Sequence, residues 1–138
     1  MGYAATFIAV AEDCPAEVGT VPPTSANGPS VAAVQYAVLR DQPYALTQED
    51  VLFEAEVQRR WTANELAPRR DELREAFSEH RRQCLRASPL VQRYGWGLHF
   101  DDEGRIGLVG RESEAYQQFC EGKDGVTVLS ALRSRRRA

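Results

Sequence analysis

Cys84-Leu85-Arg86-Ala87-Ser88-Pro89-Leu90-Val91-Gln92-Arg93-Tyr94-Gly95-Trp96-Gly97-Leu98-His99-Phe100-Asp101 lays out a helix, a stop and a strand within eighteen residues. Ser88 is a favoured N-cap and Pro89 suits the first helical position, where its missing N–H costs nothing. Gly95 suits a helix-terminating position, because only glycine takes a positive φ cheaply. Trp96, Leu98 and Phe100 then alternate, as in a strand with one buried face. A one-turn helix over 89–94 therefore hands the chain straight to a strand over 96–101.

Downstream, residues 105–109 complete a hairpin across Asp102-Glu103-Gly104, with Ile106 and Leu108 on the apolar face. His99 points the other way, beside Gly97 and Gly107. Ser113 caps a helix over 114–121 with Ala115, Tyr116, Phe119 and Cys120 inward, and Gly122 stops it. A last short helix over 127–134 is expected to bury Val128, Leu129 and Leu132 and to run into a basic tail, 133–138.

Upstream, residues 3–10 carry β-branched and aromatic side chains on both faces, the pattern of a strand buried on both sides. Four prolines and two glycines make 15–30 an irregular loop, either functional or a surface connector. Ser30 caps a helix over 31–40. Thr47-Gln48-Glu49-Asp50 forms a capping box with Asp50 in place of the usual Glu, which favours a helix over 48–60 against a strand alternating through Val51, Phe53, Ala55 and Val57. A third helix is expected over 67–81, with Leu73, Ala76, Phe77 and His80 at i, i+3, i+4, i+7. The chain thus reads as one α+β domain over 1–138, a small antiparallel sheet with a C-terminal hairpin packed against several helices.

Composition narrows the class. A chain 43% hydrophobic and 27% charged is ordinary for a globular protein, and no apolar run approaches the roughly 18 residues that would span a membrane. No basic segment precedes the apolar run at the N-terminus, so a signal peptide is not expected and a cytoplasmic location is. Cys14, Cys84 and Cys120 are odd in number and contain no CxxC, so free thiols are expected rather than a disulfide framework or a metal site. Residues 1–56 carry eight acids against one base, whereas 57–97 carry nine arginines against five acids. Sixteen of the seventeen bases are arginine, a bias read as codon usage rather than chemistry.

The quoted stretch also gathers chemistry. Arg86 and Arg93 offer bidentate grips on carboxylate or phosphate, with His99 and the N-terminus of the 89–94 helix as further contacts; their structural alternative is pairing with acids such as Asp101 or Glu112. Tyr44, Tyr94 and Trp96 are candidates for an aromatic pocket, or for core packing with satisfied polar tips. Cys84 is a candidate nucleophile if His99 or His80 comes near, against the commoner role of free cysteine as a small buried apolar residue. No spacing among His80, Cys84, His99 and Asp101 marks a metal site, and no cofactor is implied. Arg69, Arg70, Arg74, Arg81, Arg82 and the tail form a surface that could suit nucleic acid or a protein partner, but the helix arginines are interleaved with acids and only the tail is uncompensated. The expectation is a binding site for a small anionic or aromatic ligand near residues 84–99, in an accessory protein or a biosynthetic enzyme. The alternative is a non-catalytic interaction module acting through an arginine-rich surface.

Asp13-Cys14-Pro15, Pro22-Pro23, Gln42-Pro43-Tyr44, Thr47-x-x-Asp50-Val51-Leu52-Phe53, Cys84–Leu90 (CLRASPL), Arg93–His99 (RYGWGLH) and Glu112–Tyr116 (ESEAY) together resemble a family of small bacterial proteins of unknown function. That resemblance runs nearly end to end and implies no activity. The C-terminal half, with its helix, hairpin, further helix and basic end, is similar in pattern to the small YjbR-like and YdhG-like proteins, which bears on fold alone.

Overall fold

Four strands, β1 (Thr6–Ala9), β2 (Trp96–Phe100), β3 (Ile106–Gly110) and β4 (Thr127–Ser130), hydrogen-bond in the order β3-β2-β1-β4. The computed structural model describes residues 3–23, 30–78 and 85–132. β1 hydrogen-bonds to β2 on one edge and β4 on the other, and packing on both faces of the sheet buries Thr6, Phe7 and Ile8. It runs antiparallel to β2, with Phe7 opposite His99, and β2 runs antiparallel to β3, with Leu98 opposite Leu108 and His99 opposite Gly107.

Strand parity divides the core. One face of the sheet carries Ile8, Leu98, Phe100 and Ile106, packed with Leu39, Val51, Leu85, Leu90 and Val91 from the helical side. The other carries Phe7 and Val109, packed with Phe119 and Val126. Each fully buried Leu, Ile or Phe is worth about 1.5–3 kcal/mol of apolar burial, so the first face carries most of the stability.

The helices on that face start where the caps place them. α1 (Val31–Asp41) begins at Ser30, whose side chain accepts from Ala33 N. α2 (Gln48–Arg60) begins at Thr47 with the full reciprocal box to Asp50. α5 (Pro89–Gln92) begins at Ser88, with Pro89 in its first turn. Two buried glutamines fix the segment that leads into α5. Gln35 accepts the Ser88 hydroxyl, and Gln48 Oε1 accepts Leu85 N at 2.8 Å. Gly95 then turns the chain at φ +75, and a Cβ there would lie 2.5 Å from the Val18 carbonyl oxygen.

The α-helix expected over 67–81 begins only at Arg70, and a short helix that no expectation covers, α3 (Ala63–Leu66), precedes it, capped by a Thr62–Glu65 box. A 3-10 turn, Ala67–Arg69, accommodates Pro68, and α4 (Arg70–Ser78) follows. Phe77 and Leu66 pack with Phe53 and Val57 of α2 in a satellite core, whereas Ala76 is exposed. His80, Arg81 and Arg82 lie outside the described residues. The arginines before them are paired: Arg70 with Glu54 at 2.6 Å, Arg74 with Asp50 at 2.8 Å, and Arg69 with Glu72 at 3.3 Å.

The C-terminal expectation is overturned. Residues 127–130 form a strand, not a helix, and pair in parallel with β1, Phe7 opposite Val128 and Ile8 opposite Leu129. Three apolar residues at helical spacing weigh little against an open edge on β1, whose carbonyls at Ala5 and Ala9 accept from Thr127 N and Ala131 N, both at 2.9 Å. The sheet is therefore mixed rather than purely antiparallel, within an α+β fold. The basic tail beyond Leu132 lies outside the described residues.

α6 (Glu114–Cys120) is the one described helix against the second face. Ser113 caps it, and Phe119 is buried. Cys120, expected inward, is exposed, because a seven-residue helix presents the narrow stripe of Tyr116 and Phe119 to Phe7 and leaves its last turn in solvent. No described helix is long and apolar enough to cross a membrane.

The described part of the proline-rich loop is strapped to the sheet ends. Thr20 N donates to the Tyr94 carbonyl at 2.8 Å, Gly19 N to Glu112 Oε1 at 2.8 Å, and Arg111 to the Ala16 carbonyl at 2.8 Å. Residues 24–29 lie outside the described residues.

Candidate functional site: the His99–Tyr44 cleft

His99 stands on the second face of β2, where alternation with Leu98 and Phe100 places it. Its neighbours on that face in β2 and β3 are Gly97 and Gly107, and both glycines make room for rings. A Cβ at Gly97 would meet Phe7 Cζ at 2.6 Å, and one at Gly107 would meet Tyr44 Cε2 and Oη at 2.6 Å.

Tyr44 comes from the α1–α2 connector, which runs along the outer edge of β3. Tyr44 N donates to the Ile106 carbonyl and Ile106 N to the Leu46 carbonyl, each at 2.9 Å, and Thr47 bridges Arg105. With φ +57 at Tyr44, the connector sends its ring over Gly107 and onto the second face. There the Tyr44 hydroxyl lies 2.9 Å from His99 Nδ1. The imidazole also stacks on Phe119, with centroids 4.2 Å apart and planes at 23°.

Beside the pair is a cleft of about 270 Å³ lined by Ala5, His99, Phe100, Asp101, Asp102, Asp124 and Val126. Burial lowers the His99 pKa below its ordinary value, with Lys123 acting in the same direction, while Asp101, Asp124 and Asp102 act to raise it. Burial raises the Tyr44 pKa, and Asp101 adds to that. Both partners are therefore neutral at neutral pH. Asp101 Oδ1 is itself held, accepting from Glu103 N at 2.9 Å and Arg105 N at 2.8 Å in the hairpin turn.

Three described non-glycine residues have positive φ: Ala5 at +47, Tyr44 at +57 and Asp124 at +60. Ala5 and Asp124 line the cleft and Tyr44 holds its histidine. Such conformations cost on the order of 1–3 kcal/mol each and cluster where a site over-determines them.

Of the residues singled out from sequence, the structure brings Tyr44 and His99 together. It turns Trp96 to the opposite face, where Nε1 donates to the Thr20 carbonyl at 2.8 Å and the ring meets Tyr36 at 5.5 Å. Tyr94 is half-buried against the main core. Arg86 donates through Nε to the Ser130 carbonyl at 2.8 Å, at the end of β4. Arg93 is exposed at the C-cap of α5. Neither arginine lines the cleft. Cys84, the candidate nucleophile, lies outside the described residues, and with it any Cys84–His99 geometry. Among the described residues, no group of three or more His, Cys, Asp or Glu side chains is arranged to hold a metal ion.

Sequence reasoning missed Ala5, Asp124 and Val126 as cleft residues. Asp124-Gly125 is a turn signal, but its meeting with the hairpin depends on β4 pairing with β1, which no local pattern announces.

This small mixed sheet, with helices on one face and a histidine cleft on the other, belongs to the family of unknown function DUF6157, which matches residues 1–137. No curated protein and no solved structure matches the chain significantly.

Proposed function

We propose that the protein binds a small molecule in the His99–Tyr44 cleft, with His99 as the group that exchanges a hydrogen bond or a proton with it. The observation that carries this reading is the pinned imidazole. His99 is half-buried, its Nδ1 is engaged by Tyr44 and its face is covered by Phe119, so its second nitrogen is held in a fixed direction beside an open cleft. A neutral imidazole so placed suits general acid–base work as well as binding.

The ligand region thus moves from the 84–99 segment as a whole to its His99 end, joined by Tyr44. An anion grip by Arg86 has less support, because its Nε is occupied by the Ser130 carbonyl. The interaction-module alternative loses support where Arg69, Arg70 and Arg74 pair with neighbouring acids. A cytoplasmic, reducing setting remains part of the proposal and rests on unlinked Cys14 and Cys120.

The test is a thermal-shift screen of small metabolite-like compounds on wild type and His99→Gln. A ligand of the cleft raises the wild-type Tm by mass action and raises the variant's less. Equal shifts in both proteins for every active compound place binding elsewhere and defeat the reading.

A further inference from the structure

The Tyr44–His99 contact has a chemical direction. Tyrosine's hydroxyl is both donor and acceptor, and a neutral imidazole has one donor and one acceptor nitrogen. A phenol is a much better proton donor than a neutral imidazole N–H, and the unprotonated imidazole nitrogen is a much better acceptor than a phenol oxygen. The 2.9 Å contact is therefore an O–H···Nδ1 hydrogen bond. The partner of one ring nitrogen sets the state of the other, so the imidazole proton sits on Nε2. No described residue makes a hydrogen bond to Nε2, and His99 lines the cleft.

An Nε2–H on a histidine that lines a cleft calls for an acceptor. The acceptor's charge is restricted by the walls: Asp101, Asp102 and Asp124 line the cleft, and the nearby cation, Lys123, is drawn to Gln118 Oε1 at 3.2 Å and over the Phe119 ring at 5.6 Å. An anionic acceptor would meet like charges, whereas an uncharged carbonyl oxygen would not. Ala5 and Val126 supply apolar wall beside it.

We propose that the cleft takes a small molecule by an uncharged carbonyl oxygen of amide or ketone type, which accepts from His99 Nε2 at the end of a relay that starts at the Tyr44 hydroxyl. The proposal rests on the reading that this cleft is the ligand site. Tyr44 is a positioning residue in it: it fixes the tautomer and does not touch the ligand.

The experiment is long-range ¹H–¹⁵N NMR of the full chain at neutral pH, with the His99 signals assigned by their loss in His99→Gln. N-methylacetamide, acetate and inorganic phosphate are titrated separately. The expected result is a pyridine-like Nδ1 and a protonated Nε2, with Nε2 moved saturably by N-methylacetamide and unmoved by the two anions at equal concentration. Tyr44→Phe keeps the ring over Gly107, mixes the two tautomers and weakens the amide roughly two- to tenfold, the range for one neutral hydrogen bond. A proton on Nδ1, or acetate or phosphate moving Nε2 at lower concentration than the amide, overturns the carbonyl assignment and leaves the cleft reading standing. Resonances unmoved by all three probes overturn both.

Discussion

Gly107 carries a large share of the site for a residue without a side chain. A methyl group there would collide with Tyr44 Cζ and lie 2.6 Å from its Cε2 and hydroxyl, so the connector or the strand must shift. Gly107→Ala is expected to cost about 1–3 kcal/mol, the usual range for overpacking, measured by urea denaturation. The same change made on a Tyr44→Ala background is expected to cost clearly less, because the collision partner is gone. Equal costs on both backgrounds would show that the glycine serves the strand and not the tyrosine. His99 gives a second prediction at this scale. Burial makes it harder to protonate folded than unfolded, so its contribution is fully present above its ordinary pKa of 6.5 and is lost as pH falls from there. Wild-type stability minus that of His99→Gln is therefore expected to decline below that pH. The exposed carboxylates Glu65 and Glu112, held low mainly by the backbone N–H groups of Thr62 and Gly19, act in a separate window below 4.5.

Among the elements, those whose signals are local were legible. The Thr47 box, the Ser88-Pro89 start and the Trp96–Phe100 alternation are each written within a few residues and stand where they are read, whereas the helix expected over 89–94 ends at Gln92 and Gly95 supplies the positive-φ turn two residues beyond its C-cap. The Thr62-x-x-Glu65 box is equally local, yet α3 lies before the expected 67–81 helix and no expectation covers it. β4 was not legible in this way. Thr127–Ser130 becomes a strand because β1, about 120 residues earlier, has an edge to fill. Half of the candidate site depended on the same kind of distance. His99 was visible as the residue pointing away from the apolar face, but Tyr44 reaches it across 55 positions and Asp124 across a turn that β4 places. At this scale Gly95→Ala is expected to destabilise by about 1 kcal/mol or more. The replacement takes both an unfavourable φ of +75 and a 2.5 Å approach to the Val18 carbonyl oxygen. A neutral result in chemical denaturation would mean that the 15–23 strap yields freely.

At the scale of the molecule, thiol chemistry reports on the two faces. Cys14 is buried and Cys120 exposed, both unlinked. Under native conditions Cys120 is expected to be alkylated well before Cys14, with the order read by mass spectrometry of peptides. Alkylation at equal rates would mean that the 11–14 turn opens readily. Removing residues 127–138 gives a sharper test of the sheet. It uncovers one side of β1 and is expected to abolish cooperative unfolding and promote aggregation through the bared edge.

The central position of β1 has a consequence for how the chain comes into being. Its residues leave the ribosome before those of the strands it pairs with: its antiparallel partner follows some 90 residues later and its parallel partner some 120 residues later. α1, α2 and the satellite core of Phe53, Val57, Leu66 and Phe77 can all assemble in the meantime. The nascent chain thus carries Thr6–Ala9, an apolar strand with both backbone edges open, until those partners have been made. It becomes a closed sheet only when residue 130 has been added, so the tolerance of the cell for this chain depends on what shelters those four residues while they wait.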